Sequence, residues 1–479
     1  MRNRTITRRQ FTGLALGAAV ALHPLTSLHA QGRTSLSGRK ILVLGAGVAG
    51  LAAALRLKEQ GHDVTALEAR NRPGGRIHTL REPFADGQYA EAGAGRIPAS
   101  HALTLAYVKR FNLELEPFRP QTGDEVFLWR NVRQVVPAGR DPDLLGLRVN
   151  FTPREREAGF GGLSDLYLGS VFEDMHGREG QWPQLGLERY RDITLGDFLR
   201  RQGASSDAVA YLSFGFEKDS LLDFVNDALS HHVAQKWKIR GGNDLLPKAM
   251  AHALAGQIRY GAVVRRIEQG KEQVHVTFAS RARQHVVSAD RVICTIPFPV
   301  LRDIEVTPAW SEPKGRAIHD LLLGPVARVF IQTRTRPWER QGLNGFAGVD
   351  QPMELWCPTH NQPGPRGILM SYLYEDLARE YSALSEQQQV ERSIELFEQV
   401  FPGVRAEFET ATSWSWSNEP FSRGAYTITE PQHYAFREHV ARAENRIHFA
   451  GEHASPWPGW IQGALQSGLR AADEVNSAG

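Results

Sequence analysis

The sequence predicts an α/β protein that opens on a Rossmann-like dinucleotide-binding domain, with an α+β substrate-binding domain and a helical insertion. Three observations predict it. A short apolar run, Lys40-Ile41-Leu42-Val43-Leu44, leads straight into Gly45-Ala46-Gly47-Val48-Ala49-Gly50 and then a stretch of helical composition. A second run, Val64-Thr65-Ala66-Leu67-Glu68, ends in an acid 18 residues past Gly50. Far downstream, strand patterns return at Val263–Ile267, Val274–Phe278, Arg291–Pro297 and Arg446–Phe449, as a dinucleotide domain interrupted by insertions requires.

Each element has a physical reason. Ile41–Leu44 is apolar at every position, which suits a parallel strand buried on both faces. Gly45 and Gly47 let the backbone turn tightly and approach a pyrophosphate, and Gly50 allows the helix to pack closely on the strand. The helix N-terminus attracts the phosphate charge. Leu51–Leu57 continues as a helix, Gly61 suits its C-terminal end, and Glu68 is placed to accept ribose hydroxyls. Glu68-Ala69-Arg70-Asn71-Arg72-Pro73-Gly74-Gly75-Arg76 extends the motif, and Arg76 can reach pyrophosphate oxygens with two N–H groups.

Glu91–Pro98 is a second glycine-rich turn, with Arg96 its one cation. Residues 135–235 are polar with helix-like stretches at Leu195–Gln202 and Ser206–Leu212. Gly241–Met250 reads as a turn entering a helix, with Asn243 or Asp244 as its cap. At the far end Arg446–His453 is a strand closing on Gly451-Glu452, and Pro456–Leu465 enters another helix whose N-terminus suits an electron-rich cofactor atom. The order divides the chain into a leader over 1–30, a dinucleotide domain over 36–76, 240–322 and 440–479, a substrate domain over 77–134 and 323–439, and a helical domain over 135–239.

The 479 residues are 42% hydrophobic and 23% charged, which excludes collagen-like, disulfide-scaffold and wholly disordered classes. No uncharged apolar run reaches the roughly 18 residues of a spanning helix. The net charge of +3 overstates basicity, because Arg2, Arg4, Arg8 and Arg9 sit in a stretch without acids. The remainder is nearly balanced and gives no case for nucleic acid or an anionic membrane. Thr7-Arg8-Arg9-Gln10-Phe11, an apolar run over 13–22 and Ser27-Leu28-His29-Ala30 form a cleavable leader that resembles a twin-arginine signal, implying export to the periplasm or medium. Cys294 lies in an apolar strand and reads as a core thiol, and whether it pairs with Cys357 is open. Two cysteines at this spacing make no zinc site.

These motifs together resemble the flavin-dependent amine oxidase superfamily. The resemblance rests on Gly45–Gly50 with Glu68, Arg72–Arg76, and Phe449–Glu452 with Gly459–Ala464. Within it the chain is most similar to the L-amino-acid oxidases, through Glu91-Ala92-Gly93-Ala94-Gly95-Arg96-Ile97-Pro98, Gly459-Trp460-Ile461, and the stretches Tyr107–Leu113 and Gly139–Leu145. The resemblance implies a GR2-type flavoprotein fold, FAD as cofactor and dimerisation. Val48, Ala49, Glu68, Ala69, Arg76, Gly93, Ala94, Gly95, Arg96, Val264, Glu452, Gly459, Trp460, Ile461, Gln462, Gly463 and Ala464 would contact FAD, together with the glycine turn.

The substrate roles follow by the same resemblance. Arg96 would grip a substrate carboxylate bidentately, which a plain amine would not need. Tyr372 would donate a second hydrogen bond to that carboxylate, and Tyr426 and Trp460 would wall an aromatic pocket. The implied reaction moves a hydride from Cα of a neutral amine to the flavin, and water then releases a 2-keto acid and ammonia. Reoxidation by oxygen would give peroxide. A monoamine or polyamine oxidase on the same fold is the alternative, with Arg96 serving FAD alone.

Two departures stand out. Arg328 occupies the place where the superfamily usually has lysine, which opens the choice of oxygen or another electron acceptor such as a quinone or redox protein. Ala425 precedes Tyr426 where covalent members carry cysteine, so FAD is expected without a covalent link. The family's active-site histidine has no clean counterpart. His231 and His232 lie nearest.

Overall fold

The computed structural model describes residues 38–178, 186–231 and 235–478. The leader over 1–30 and the imidazoles of His231 and His232 lie outside the described residues. Among the described residues no helix is long and apolar enough to cross a membrane.

The apolar run forms strand Lys40–Leu44 at the centre of a five-stranded parallel sheet. Its neighbours are Asp63–Leu67, with Ile258–Arg259 beyond, and Arg291–Cys294, with Ile447–Phe449 beyond. Ile41 and Val43 pack to one face with the helix Val48–Glu59, while Leu42 and Leu44 pack to the other with Phe298 and Phe449. Burial on both faces is why this strand reads as a continuous apolar run. The chain leaves Lys40–Leu44 toward one neighbour and later returns on its other side. That switch point opens a crevice at the carboxyl ends of the strands.

Of the downstream strand patterns, Arg291–Cys294 and Ile447–Phe449 join this sheet. Val263–Gln269 and Val274–Ser280 instead build a separate four-stranded sheet with Arg283–Ala289 and Glu305–Thr307. The expected cap of the helix Leu245–Ala253 is corrected too. Asp244 stands at the N-cap but its carboxylate pairs with Arg81, at 2.9 and 3.0 Å, and with Lys248, while Asn243 accepts from the Ile239 N–H at 2.8 Å.

A seven-stranded, mostly antiparallel sheet forms the second layer around strands Val326–Thr333 and Gly367–Tyr374, each buried at every position. Helices Glu375–Ala383 and Glu386–Val400 cover its far side. The helices Pro153–Met175, Glu188–Arg191, Leu195–Arg201, Ser206–Ser213 and Leu221–His231 gather around Phe160, Leu163 and Val225. Thr152 and Glu155 form a reciprocal capping box that starts Pro153–Met175. Cys294 and Cys357 are both buried and unpaired, and burial pushes the Cys294 thiol up to about 12.

Candidate active site

A cleft of about 1300 Å³, counted to its open mouth, runs from the switch point to the seven-stranded sheet. At its inner end Gly45 adopts φ +107°, and its N–H donates to the Leu67 carbonyl at 2.7 Å. A Cβ on Gly50 would sit 2.0 Å from the Gly45 carbonyl oxygen, so Gly50 serves close packing and does not line the cleft. A Cβ on Gly47 would meet nothing within 4 Å. The helix that follows has no side-chain cap and no acid in its first turn. Its amide donors therefore stay available to an anion in open space.

Glu68 lines the cleft with one oxygen accepting from Ala46 N–H at 2.7 Å and the other from Arg70 N–H at 2.9 Å. These bonds fix a carboxylate at the tip of the second strand, with lone pairs to spare for a diol. Ala69, Val48, Ala49 and Val264 complete this end.

Arg76 and Glu452, read separately from the sequence, meet at 2.6 Å, and Arg76 also donates to the Ala425 carbonyl at 3.0 Å. Glu452 accepts further from the N–H groups of Thr427 and Gly459, at 3.2 and 2.8 Å. Burial pushes the Glu452 carboxyl up, but Arg76, His453 and the Gly459 N–H together outweigh this and hold it at about 2, so it is ionised. Helix Ile461–Ser477 begins here without a side-chain cap, presenting a second positive end. Ile461 and Ala464 line the cleft. Gln462 turns away to accept from Thr104, and Gly463 packs where a Cβ would strike the Trp457 carbonyl at 2.1 Å.

The floor comes from sheet register. Trp414, Arg328, Tyr372 and Glu354 lie directly opposite one another across four strands, so their side chains share one face. The Arg328 guanidinium is buried, lies 4.0 Å over the Tyr372 ring, and donates to the carbonyls of Glu91, at 2.5 Å, and Gly93, at 2.6 Å. Gly93, Ala94, Arg328 and Tyr372 line the cleft. Tyr426 and Trp460 do so as well, and the Trp460 indole is anchored on Asp227 at 2.6 Å.

Arg96 and Gly95 are not part of this lining. A Cβ on Gly95 would touch Trp356 at 3.4 Å, and the Arg96 guanidinium bonds bidentately to Glu354, at 3.0 Å twice. Sequence reasoning missed Glu354 altogether. It also missed Trp416, whose indole donates to the Ala92 carbonyl at 2.7 Å, and the Thr295-Ile296-Pro297 loop. That loop had a signal, since it follows a parallel strand of the dinucleotide sheet.

The donor set fits a flavin dinucleotide. It offers two uncapped helix N-termini, a carboxylate for a ribose, and a half-apolar cleft walled by aromatic rings. Three buried polar atoms on the lining, Arg70 Nε, Arg328 Nε and Tyr426 Oη, also have no hydrogen-bond partner among the described residues and remain for a ligand.

Residues 48–476 match the model of the flavin containing amine oxidoreductases. A Bacillus subtilis (strain 168) protein, YobN, whose name assigns it provisionally to the L-amino-acid oxidases, is 34% identical over 91% of this chain and 95% of its own. The L-amino-acid oxidase of Gloydius blomhoffii is 28% identical over 92% of this chain and 89% of its own. Among solved structures, putrescine oxidase bound to putrescine superposes with a TM-score of 0.77 at 20% identity, covering 92% of this chain and 99% of the other. Cyclohexylamine oxidase from Brevibacterium oxydans IH-35A gives 0.78 at 21%, covering 91% and 98%.

Proposed function

The chain belongs to the flavin-containing amine oxidoreductase family, and from that premise we propose that it binds FAD non-covalently and oxidatively deaminates L-amino acids to 2-keto acids, ammonia and hydrogen peroxide. The observation that carries the amino-acid reading is a guanidinium, Arg96, one aromatic layer behind the Tyr372 floor of the flavin cleft. The sequence kinship with L-amino-acid oxidases supports it. When bound, the flavin supplies the hydride acceptor.

The chain's own residues do the rest. Trp460, anchored on Asp227, and Tyr426 hold the substrate amine between two rings. Their surfaces displace water and favour the neutral amine, the form that can lose a hydride from Cα. Arg328 braces the Gly93 turn and the Tyr372 ring against which the substrate rests. Water then hydrolyses the imino acid after release. Ala425 offers no thiol beside the cleft, in keeping with a non-covalent cofactor.

Oxidation of an amine without a carboxylate is the second reading, favoured by the Glu354 carboxylate on Arg96. Anaerobic bleaching of the flavin with L-amino acids beside their decarboxylated amines separates the two. Bleaching by amines alone refutes the amino-acid reading, and admitting air shows whether oxygen is the acceptor. Acid precipitation should release the flavin into the supernatant. We also propose twin-arginine export, tested by replacing Arg8 and Arg9 with lysine and following periplasmic activity, and a homodimer, tested by sedimentation.

A further inference from the structure

We propose that Glu354 is the specificity-determining residue of this site: a resident carboxylate that competes with a substrate's own carboxylate for Arg96 and so sets how strongly the site prefers amino acids over plain amines. The inference rests on the reading above only for the reaction, not for the substrate.

Glu354 stands in register with Tyr372, on the cleft-facing side of the sheet. Its Oε1 accepts from Arg96 Nη2 at 3.0 Å and the Tyr374 hydroxyl at 2.5 Å. Its Oε2 accepts from Arg96 Nη1 at 3.0 Å and the Trp356 indole at 2.8 Å. A carboxylate has about four lone-pair sites, and here each has a donor. The guanidinium lies 4.8 Å over the Trp356 ring and 5.9 Å from that of Phe118, so its plane is set by packing.

The terminal edge of Arg96, the edge that grips a carboxylate with two parallel bonds, is thus taken from within the chain. The two side chains keep 21% and 29% of their surface exposed, so neither is sealed from solvent. An incoming amino acid has to compete with a carboxylate held in the same chain, whose tethering raises its effective concentration at Arg96. A simple amine has nothing to displace.

The test compares wild type with Glu354→Gln and Tyr374→Phe, each loaded with FAD. We would measure kcat/KM for an L-amino acid and its decarboxylated amine, and the Kd of benzoate from perturbation of the flavin absorbance. Glu354→Gln should raise the amino-acid-to-amine ratio of kcat/KM, and tighten benzoate, by about tenfold or more, the size of one charge-assisted hydrogen bond. Tyr374→Phe, which frees one of the four lone pairs, should tighten benzoate to a lesser degree and carries the test should Glu354→Gln fail to fold. An unchanged or lower ratio with unchanged benzoate binding, in a variant that retains flavin, overturns the proposal. If wild type oxidises only amines and Glu354→Gln gains amino acids, the proposal stands and the L-amino-acid reading falls. If wild type oxidises amino acids and neither variant shifts the ratio or benzoate, the reading stands and the proposal falls.

Discussion

Replacing Gly47 and Gly50 by alanine separates cofactor approach from packing within one turn. At Gly50 the new methyl would lie 2.0 Å from the Gly45 carbonyl oxygen and 3.2 Å from Thr295 Oγ1. Ordinary contact starts near 3.4 Å, so helix and strand would have to part by about 1.4 Å at the centre of the parallel sheet. The nearer neighbour cannot swing aside, because it is backbone. Such overpacking costs on the order of 3 kcal/mol or more, a large share of the 5–15 kcal/mol that holds a typical domain. Gly47 differs. Its φ of −68° and ψ of 171° suit any residue, and its methyl would enter open space. The apoprotein should lose only about 1 kcal/mol there, as alanine is the poorer helix cap. That methyl nevertheless stands where a pyrophosphate must approach, so the Kd for FAD should rise at least about tenfold. Thermal unfolding of apoprotein and fluorescence titration with FAD read the two effects separately. A Gly47→Ala protein with wild-type FAD affinity, or a Gly50→Ala apoprotein with wild-type Tm, refutes the assignment.

Arg76→Ala would leave Glu452, 8% exposed at its side chain, without its cation, and should cost about 3–5 kcal/mol in thermal unfolding. Glu452 also predicts a pH dependence. Its carboxyl is held at about 2 in the fold against 4.5 unfolded, so the unfolded chain takes the proton first. The stabilisation, about 3 kcal/mol, is complete above pH ~4.5 and drains away as pH falls toward ~2. Glu452→Gln should flatten the Tm profile in that window and leave its slope above pH 6 alone. Arg328→Met would strip the donor from two buried carbonyls, those of Glu91 and Gly93, and should destabilise by about 2–4 kcal/mol on chemical denaturation. A variant as stable as wild type would show that these bonds have replacements.

The glycine turn and the Gly451-Glu452 corner were legible because each encodes a local backbone demand. Gly45 at φ +107° and Gly451 at φ +139° are positions that side chains rarely tolerate, and that requirement is written in the residue itself. The aromatic walls Tyr426 and Trp460 were reached through resemblance, and both line the cleft. Glu354 was invisible for a different reason. Its importance depends on the register that sets it opposite Tyr372, and on Arg96 lying 258 residues away in sequence. No periodicity within Met353–Trp356 reports which strand will lie beside it. The same limit hid Asp244, whose cap-like position suggested a local bond while Arg81 offered a stronger, distant one.

The contact between Arg76 and Glu452 joins residues 376 apart, and the strand Ile447–Phe449 completes one edge of the sheet that carries the glycine turn. A nascent chain still short of Phe449 therefore owns the phosphate-binding turn but neither its second helix N-terminus nor the carboxylate that orients Arg76. Cofactor capture has to wait until almost the whole polypeptide has left the ribosome. Until then the central strands expose an unpaired edge, which makes the unfinished chain a natural client for chaperones.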